Sequence, residues 1–199
     1  ILRVDLTTGT LRDENLPEEP ILKKFIGGQG LASYILLKEL SLNATPFGPE
    51  NIVVMMTGPL TGNGFTPGGT KMTAVYLSPL TNTTLGRGAT SGYWATYLKA
   101  AGYDGIILTG ASPKPVYLYI NEGKAELYDA ANFWGLGTRA TEDRLREAVG
   151  HREAKVLCIG PAGENLNRAA MLANDYNHFA AHSGGAVLGS KKLKAIVVH

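Results

Sequence analysis

The chain repeats itself, and that repeat limits the folds open to it more than any single motif. Ile1–Leu6 alternates, turns at Thr8-Gly9 and returns through Thr10-Leu11-Arg12, the pattern of a β-hairpin. Val116–Ile120 does the same, turning at Glu122-Gly123 and returning through Ala125-Glu126-Leu127. Three further landmarks follow each hairpin in one order. Phe25-Ile26-Gly27 is answered by Phe133-Trp134-Gly135, and the run Asn51–Met56 with Gly58-Pro59 by Lys155–Ile159 with Gly160-Pro161. Ser91-Gly92, a helix and Ile106–Leu108 are answered by Ser183-Gly184-Gly185, a short helix through Leu188 and Leu193–Val198. The offsets fall from 114 (Gly9 to Gly123) to 102 (Gly58 to Gly160) to 92 (Ser91 to Ser183), as loops trimmed between fixed landmarks would give. The pattern predicts an α+β fold made by internal duplication: two similar halves about a pseudo-two-fold axis, sheets forming a base and helices outside. The halves are residues 1–112 and 113–199 of one domain, 1–199.

Within the first half, helices are expected over Ile21–Phe25 and Leu31–Leu40, the second with Leu31, Tyr34, Ile35 and Leu37 toward the core. Lys71–Leu77 alternates as a strand after the loop Leu60–Thr70, which contains four glycines and Pro67. In the second half a helix is expected over Thr141–Val149.

The stretch Leu85–Gly110 carries the clearest hint of function. It reads as a loop of small residues, Gly86 to Gly92, then a helix bearing Tyr93, Tyr97, Leu98 and Ala101, then the buried strand Ile106–Leu108. A helix start leaves backbone N–H groups free, and an anion is favoured there. Arg87 stands between two glycines, where a guanidinium has few structural reasons to be. Lys71 is either a solvated strand-edge residue or a phosphate contact. The duplication places a second glycine-rich loop before Ser183. Brought together by the axis, the two loops would cradle a ligand with two similar anionic ends.

The remaining residues bound the alternatives. The 25 glycines cluster in loops, where close backbone approach to a ligand is possible, and a net charge of +2 offers no basic stripe for nucleic acid. No apolar run approaches the ~20 residues that span a bilayer. No signal peptide is visible, and the single cysteine, Cys158, lies in the apolar run Val156–Ile159, which points to a core residue in a reducing, cytoplasmic setting. Phosphate-loop, dinucleotide, nucleophile-elbow and zinc-protease signatures are absent. His178 and His182 are four apart, a spacing better read as a solvated or capping pair than as a metal site. Asn174-Asp175 and Asn177-His178 either form turns and caps or order a loop around a ligand. Trp94 and Tyr93 suit core or interface positions.

GPLTG at Gly58–Gly62, SPLT at Ser78–Thr81, LKAAGYDGIILTG at Leu98–Gly110, IGPAGEN at Ile159–Asn165 and GAVLGSKKLKAI at Gly185–Ile196 form a series in fixed order. The chain resembles, over essentially its whole length, the N-terminal domain of the aldehyde ferredoxin oxidoreductases. The resemblance implies a base under a tungsten (less readily molybdenum) bis-molybdopterin cofactor, with magnesium bridging the pterin phosphates. By matching position it implies cofactor contacts at Lys71, Arg87, Ala89, Thr90, Ser91, Gly92, Ala180, Ala181, His182 and Ser183. The family's arginine after the first glycine pair is replaced by Thr70 and Lys71, and its asparagine before the helix falls near Ala89-Thr90. Its second-loop arginine is lost, with His182 or Arg87 left to replace the charge. The cysteine ligands of the 4Fe-4S cluster, the proton-transfer residues and the substrate channel belong to later helical domains, so no catalytic residue is assigned here. The implied activity is oxidation of aldehydes to carboxylic acids, with electrons passed to ferredoxin or a redox subunit and homo-oligomer formation left open. The competing reading is a non-catalytic scaffold or interaction module that keeps the fold.

Overall fold

A computed structural model describes residues 1–66 and 68–199; Pro67, in the expected loop, lies outside the described residues. Two six-stranded mixed sheets carry the chain, one from each half. In the first, β1 (Leu2–Asp5), β2 (Thr10–Asp13), β3 (Val53–Thr57), β4 (Met72–Leu77), β5 (Leu85–Thr90) and β6 (Gly105–Thr109) lie in the order β2-β1-β6-β3-β4-β5. In the second, β7 (Val116–Asn121), β8 (Lys124–Asp129), β9 (Lys155–Cys158), β10 (Leu172–Asn174), β11 (His178–Ala180) and β12 (Leu193–Val198) lie in the order β8-β7-β12-β9-β10-β11. Adding six to each label of the first order gives the second. β1–β6 and β7–β12 pair parallel in both, and the other neighbours pair antiparallel. The internal duplication is present strand for strand.

The central strands of each sheet are buried on both faces, which is why Val53–Met56 is apolar without interruption. Helices α1 (Glu19–Phe25) and α2 (Gly28–Glu39) cover one face of the first sheet, with Leu31, Ile35 and Leu36 against Val54, Met56 and Ile107. Helix α4 (Thr138–Val149) covers the matching face of the second, with Leu145 against Val156 and Val197. The other two faces share a single core. Met55, Ile106 and Leu108 meet Leu118, Leu157 and Ile196 there, together with Trp94 and Leu98 of α3 (Trp94–Ala100) and Val187 and Leu188 of α6 (Gly184–Ser190). The short α5 (Pro161–Glu164) packs on α6. Trp94 donates from Nε1 to the Ile196 carbonyl at 2.9 Å, pinning a helix of the first half to a strand of the second.

Three local expectations are corrected. Leu37 does not face the core; it is 68% exposed, while Ala32 and Leu36 are buried beside Leu31 and Ile35. The buried stripe follows i, i+1, i+4, i+5, and Leu37 falls just past its edge. The stretch Gly86–Gly92 is not a loop throughout, because Leu85–Thr90 is β5, paired with β4 from Leu77–Leu85 to Met72–Thr90. Its glycines are fixed by crowding: a Cβ on Gly86 would lie 2.6 Å from Tyr76 Cε2, and one on Gly88 would lie 2.8 Å from the Ala181 carbonyl oxygen. The second small-residue loop is likewise preceded by a strand, β11, joined to β10 through Asp175-Tyr176-Asn177. Asp175 and Tyr176 take left-handed φ values of 45° and 63°, which let so short a connection reverse the chain.

Candidate functional site

The edge strands β5 and β11 of the two sheets come against each other, and the residues following them lie on either side of that seam. Gly88 abuts Ala180 and Ala181. The Tyr76 hydroxyl, on buried β4, donates to the His182 carbonyl at 2.6 Å. Asn174 donates from Nδ2 to Thr90 Oγ1 at 2.8 Å. Thr90–Gly92 of the first half and Ala180–Ser183 of the second are therefore neighbours, although about ninety residues separate them in the chain (Ser91 to Ser183 is 92).

The candidate residues divide by exposure. Lys71, just before β4, is exposed and donates from Nζ to Ser91 Oγ at 2.9 Å. Arg87 and Ala89 point to the outer side of β5, Arg87 exposed and Ala89 half-buried, whereas Thr90 and Gly92 are buried. Arg87 and His182 line one open hollow of about 260 Å3 with Ser78, Leu80, Thr81 and Thr84. Lys71 stands opposite Ser91, and Arg87 is four residues back along the strand, so the two cations are separated by about 13 Å of strand rise. Lys71 is thus bonded to Ser91, while Arg87 shares a hollow with His182; Lys71 and Arg87 do not stand at one spot. Ala180 is buried and Ala181 and His182 are exposed. Ser183 is wholly buried and its hydroxyl donates to the Arg168 carbonyl, so its part is to hold the turn rather than to face this surface. His182 and Ser183 both have left-handed φ, 68° and 77°, a strained conformation for two successive non-glycine residues.

The anion expected at the start of α3 is already supplied by the protein. Asp175 accepts the Tyr93 N–H at 2.5 Å, and α3 is only seven residues long. Arg146 and Lys155 face this carboxylate at 3.8 Å. Arg146 also donates to the buried Glu142 at 3.1 Å, whose acid is nonetheless pushed up from its ordinary value, chiefly by burial. Sequence reasoning weighed Asn174 and Asp175 mainly as turn residues and passed over Tyr76. The available signals were a tyrosine inside an apolar strand and an Asn-Asp pair ending the apolar run Leu172-Ala173. His178 lies on β11 and His182 in the turn before α6, so they share no helical face. Burial pushes the Cys158 thiol well up, which suits a core residue rather than a nucleophile. Among the described residues no three His, Cys, Asp or Glu groups converge as metal ligands, and no helix is long and apolar enough to cross a membrane.

The fold and the candidate site together define a duplicated α+β domain whose halves bring two backbone segments and exposed cations along one seam. The chain belongs to the aldehyde ferredoxin oxidoreductase family: the family's N-terminal domain matches residues 1–199. It is similar to the tungsten-containing aldehyde ferredoxin oxidoreductase of Pyrococcus abyssi, at 45% identity over all of this chain and 32% of that protein. It is also 39% identical to the WOR-like subunit of an aliphatic sulfonate oxidoreductase of Pyrococcus furiosus, over 99% of this chain and 33% of that one. Among solved structures, the active-site complex BamBC of benzoyl coenzyme A reductase, bound to 1,5-dienoyl-CoA, matches with a TM-score of 0.93 and 36% identity, covering all of this chain and 30% of that one. The chain spans about a third of the length of the curated relatives it matches. It is the N-terminal part of an oxidoreductase family that includes tungsten enzymes.

Proposed function

We propose that residues 1–199 are the base on which the whole protein seats a tungsten (or molybdenum) bis-molybdopterin cofactor. The observation that carries this reading is the convergence of Thr90–Gly92 and Ala180–Ser183 across the seam between the halves. The residues present fit such a group in place and in charge. Lys71, just before β4, and Arg87, on β5, are exposed cations at two points along this strand pair, suited to two separated phosphates, and His182 adds a third donor in the hollow with Arg87. Because Asp175 fills the start of α3, the phosphates are directed to the Lys71 and Arg87 sides rather than onto that helix end. A magnesium ion accompanying the cofactor would find oxygen donors in the carbonyl and hydroxyl groups around Ala89–Ser91 and Ala180–Ala181. When bound, the cofactor supplies the redox chemistry; this chain supplies position and electrostatic balance.

For the whole protein the reading is oxidation of an aldehyde to a carboxylic acid, with electrons passed to ferredoxin or a redox subunit through a 4Fe-4S cluster held by later domains. The 45% identity to an aldehyde enzyme favours that substrate class over those of the 39% and 36% relatives. A second reading, a non-catalytic scaffold, is favoured by one feature: Asp175 already satisfies the α3 terminus without a ligand. Metal and pterin analysis of the anaerobically purified full-length protein separates the two. Near-stoichiometric tungsten or molybdenum with pterin is expected; a folded protein free of all three would leave the scaffold reading standing alone.

A further inference from the structure

The segment Thr90–Tyr93 lies in the first half, yet its shape is set from the second. Asn174, wholly buried at the end of β10, donates to Thr90 Oγ1. Its Oδ1 has no hydrogen-bond partner among the described residues and is pressed against Gly92, where it would collide with any Cβ. Asp175 accepts the Tyr93 N–H, and its Oδ2 would lie 2.8 Å from the same Cβ position. Three of the four residues in the segment are therefore held by one dipeptide of the β10–β11 hairpin. Ser91, the fourth, is held by Lys71.

The dipeptide is itself braced. The Asp175 carboxylate faces Arg146 and Lys155 at 3.8 Å. Tyr176 donates its N–H to Glu142 at 3.0 Å and its hydroxyl to Asp143 at 2.5 Å, and it accepts from Arg146 at 2.5 Å. Lys155 then returns to the first half, with its ammonium 5.5 Å from the Tyr93 ring centre and 5.2 Å from that of Tyr97. A buried carboxamide with one end unused is a costly way to fill space, since an apolar residue would carry no desolvation penalty.

Resting on the cofactor reading above, we propose that Asn174 and Asp175 are positioning residues, through which the second half sets the geometry of the first half's binding segment. Neither touches the ligand. The two halves grip the cofactor as one unit because the hairpin that carries one binding segment also shapes the other.

The test uses the full-length protein purified anaerobically as wild type, Asn174→Ala, Asp175→Asn and Tyr176→Phe. Tungsten, molybdenum and pterin per chain are measured, with the rate of metal loss on dialysis and the Tm of each preparation. Asp175→Asn is isosteric and preserves the turn, and Tyr176→Phe disturbs the same brace without touching Thr90–Tyr93. The expected result is metal loss about tenfold faster in Asn174→Ala and Asp175→Asn, with Tyr176→Phe retaining cofactor like wild type whatever its Tm. Wild-type retention in the first two, or losses that simply track Tm across all three, would overturn the inference while leaving the cofactor reading intact. A wild type without metal or pterin would instead overturn the cofactor reading, and this inference with it.

Discussion

The hydroxyl of Tyr76 and the carbonyl of His182 are hydrogen-bonded at 2.6 Å across the two halves, from a wholly buried tyrosine to a turn held at left-handed φ. Burial pushes the phenol well up, so it stays a donor throughout the ordinary pH range. Tyr76→Phe keeps the ring packed but leaves the carbonyl without this donor. The expected loss is about 1–2 kcal/mol of unfolding free energy in urea titrations. An unchanged midpoint would mean that the strained turn is held by something else.

Gly189 and Gly163 bring α6 and α5 into backbone contact. A Cβ on Gly189 would run into the Gly163 carbonyl, and one on Gly163 would lie 2.7 Å from the Gly185 carbonyl oxygen. No rotamer relieves a clash between Cβ and backbone. Gly189→Ala is expected to destabilise the protein by roughly 3 kcal/mol or more, seen as a lowered Tm. A variant as stable as wild type would show that the two helices separate freely.

Lys191 is wholly buried where the halves meet, donating to the Gly110 carbonyl at 2.7 Å and the Pro49 carbonyl at 3.4 Å. Burial pulls its ammonium down to about 8. An unfolded lysine holds its proton to about pH 10.4, so between these values the unfolded chain binds more protons. Lys191 therefore adds stability as pH rises from about 8 to about 10, and below that window the buried charge costs about 3 kcal/mol. The buried Cys158 thiol, pushed up by burial, works the other way above about pH 8.5. In a Cys158→Ala background, denaturation series from pH 7 to 10 should show the rise, and adding Lys191→Met should flatten it. A flat profile in that background with Lys191 present would contradict the assignment.

Much of this architecture was legible because duplication writes its landmarks twice. The hairpins at Thr8-Gly9 and Glu122-Gly123, the apolar runs ending at Gly58-Pro59 and Gly160-Pro161, and the helix–strand units after Ser91 and Ser183 all take their expected forms. Strand β5 was hidden because Gly86 and Gly88 are poor strand formers by local preference. They belong to a strand only because Tyr76 and Ala181 occupy the space of their missing side chains. Asp175 was hidden for a related reason: its partner, Tyr93, lies 82 residues away, and turn chemistry alone explains an aspartate there. What local pattern does not carry is the meeting of the two halves, and that meeting makes the candidate site.

The most direct test of that site is tungsten and molybdenum content per chain in the full-length Lys71→Ala, Arg87→Ala double variant, purified anaerobically beside wild type. Both side chains are exposed, so the fold should survive their removal. Losing two charge-assisted contacts should cost about 3–6 kcal/mol of binding, a hundredfold or more in affinity, and leave the variant largely empty of metal. Full occupancy in the variant would contradict the claim that this seam holds the cofactor.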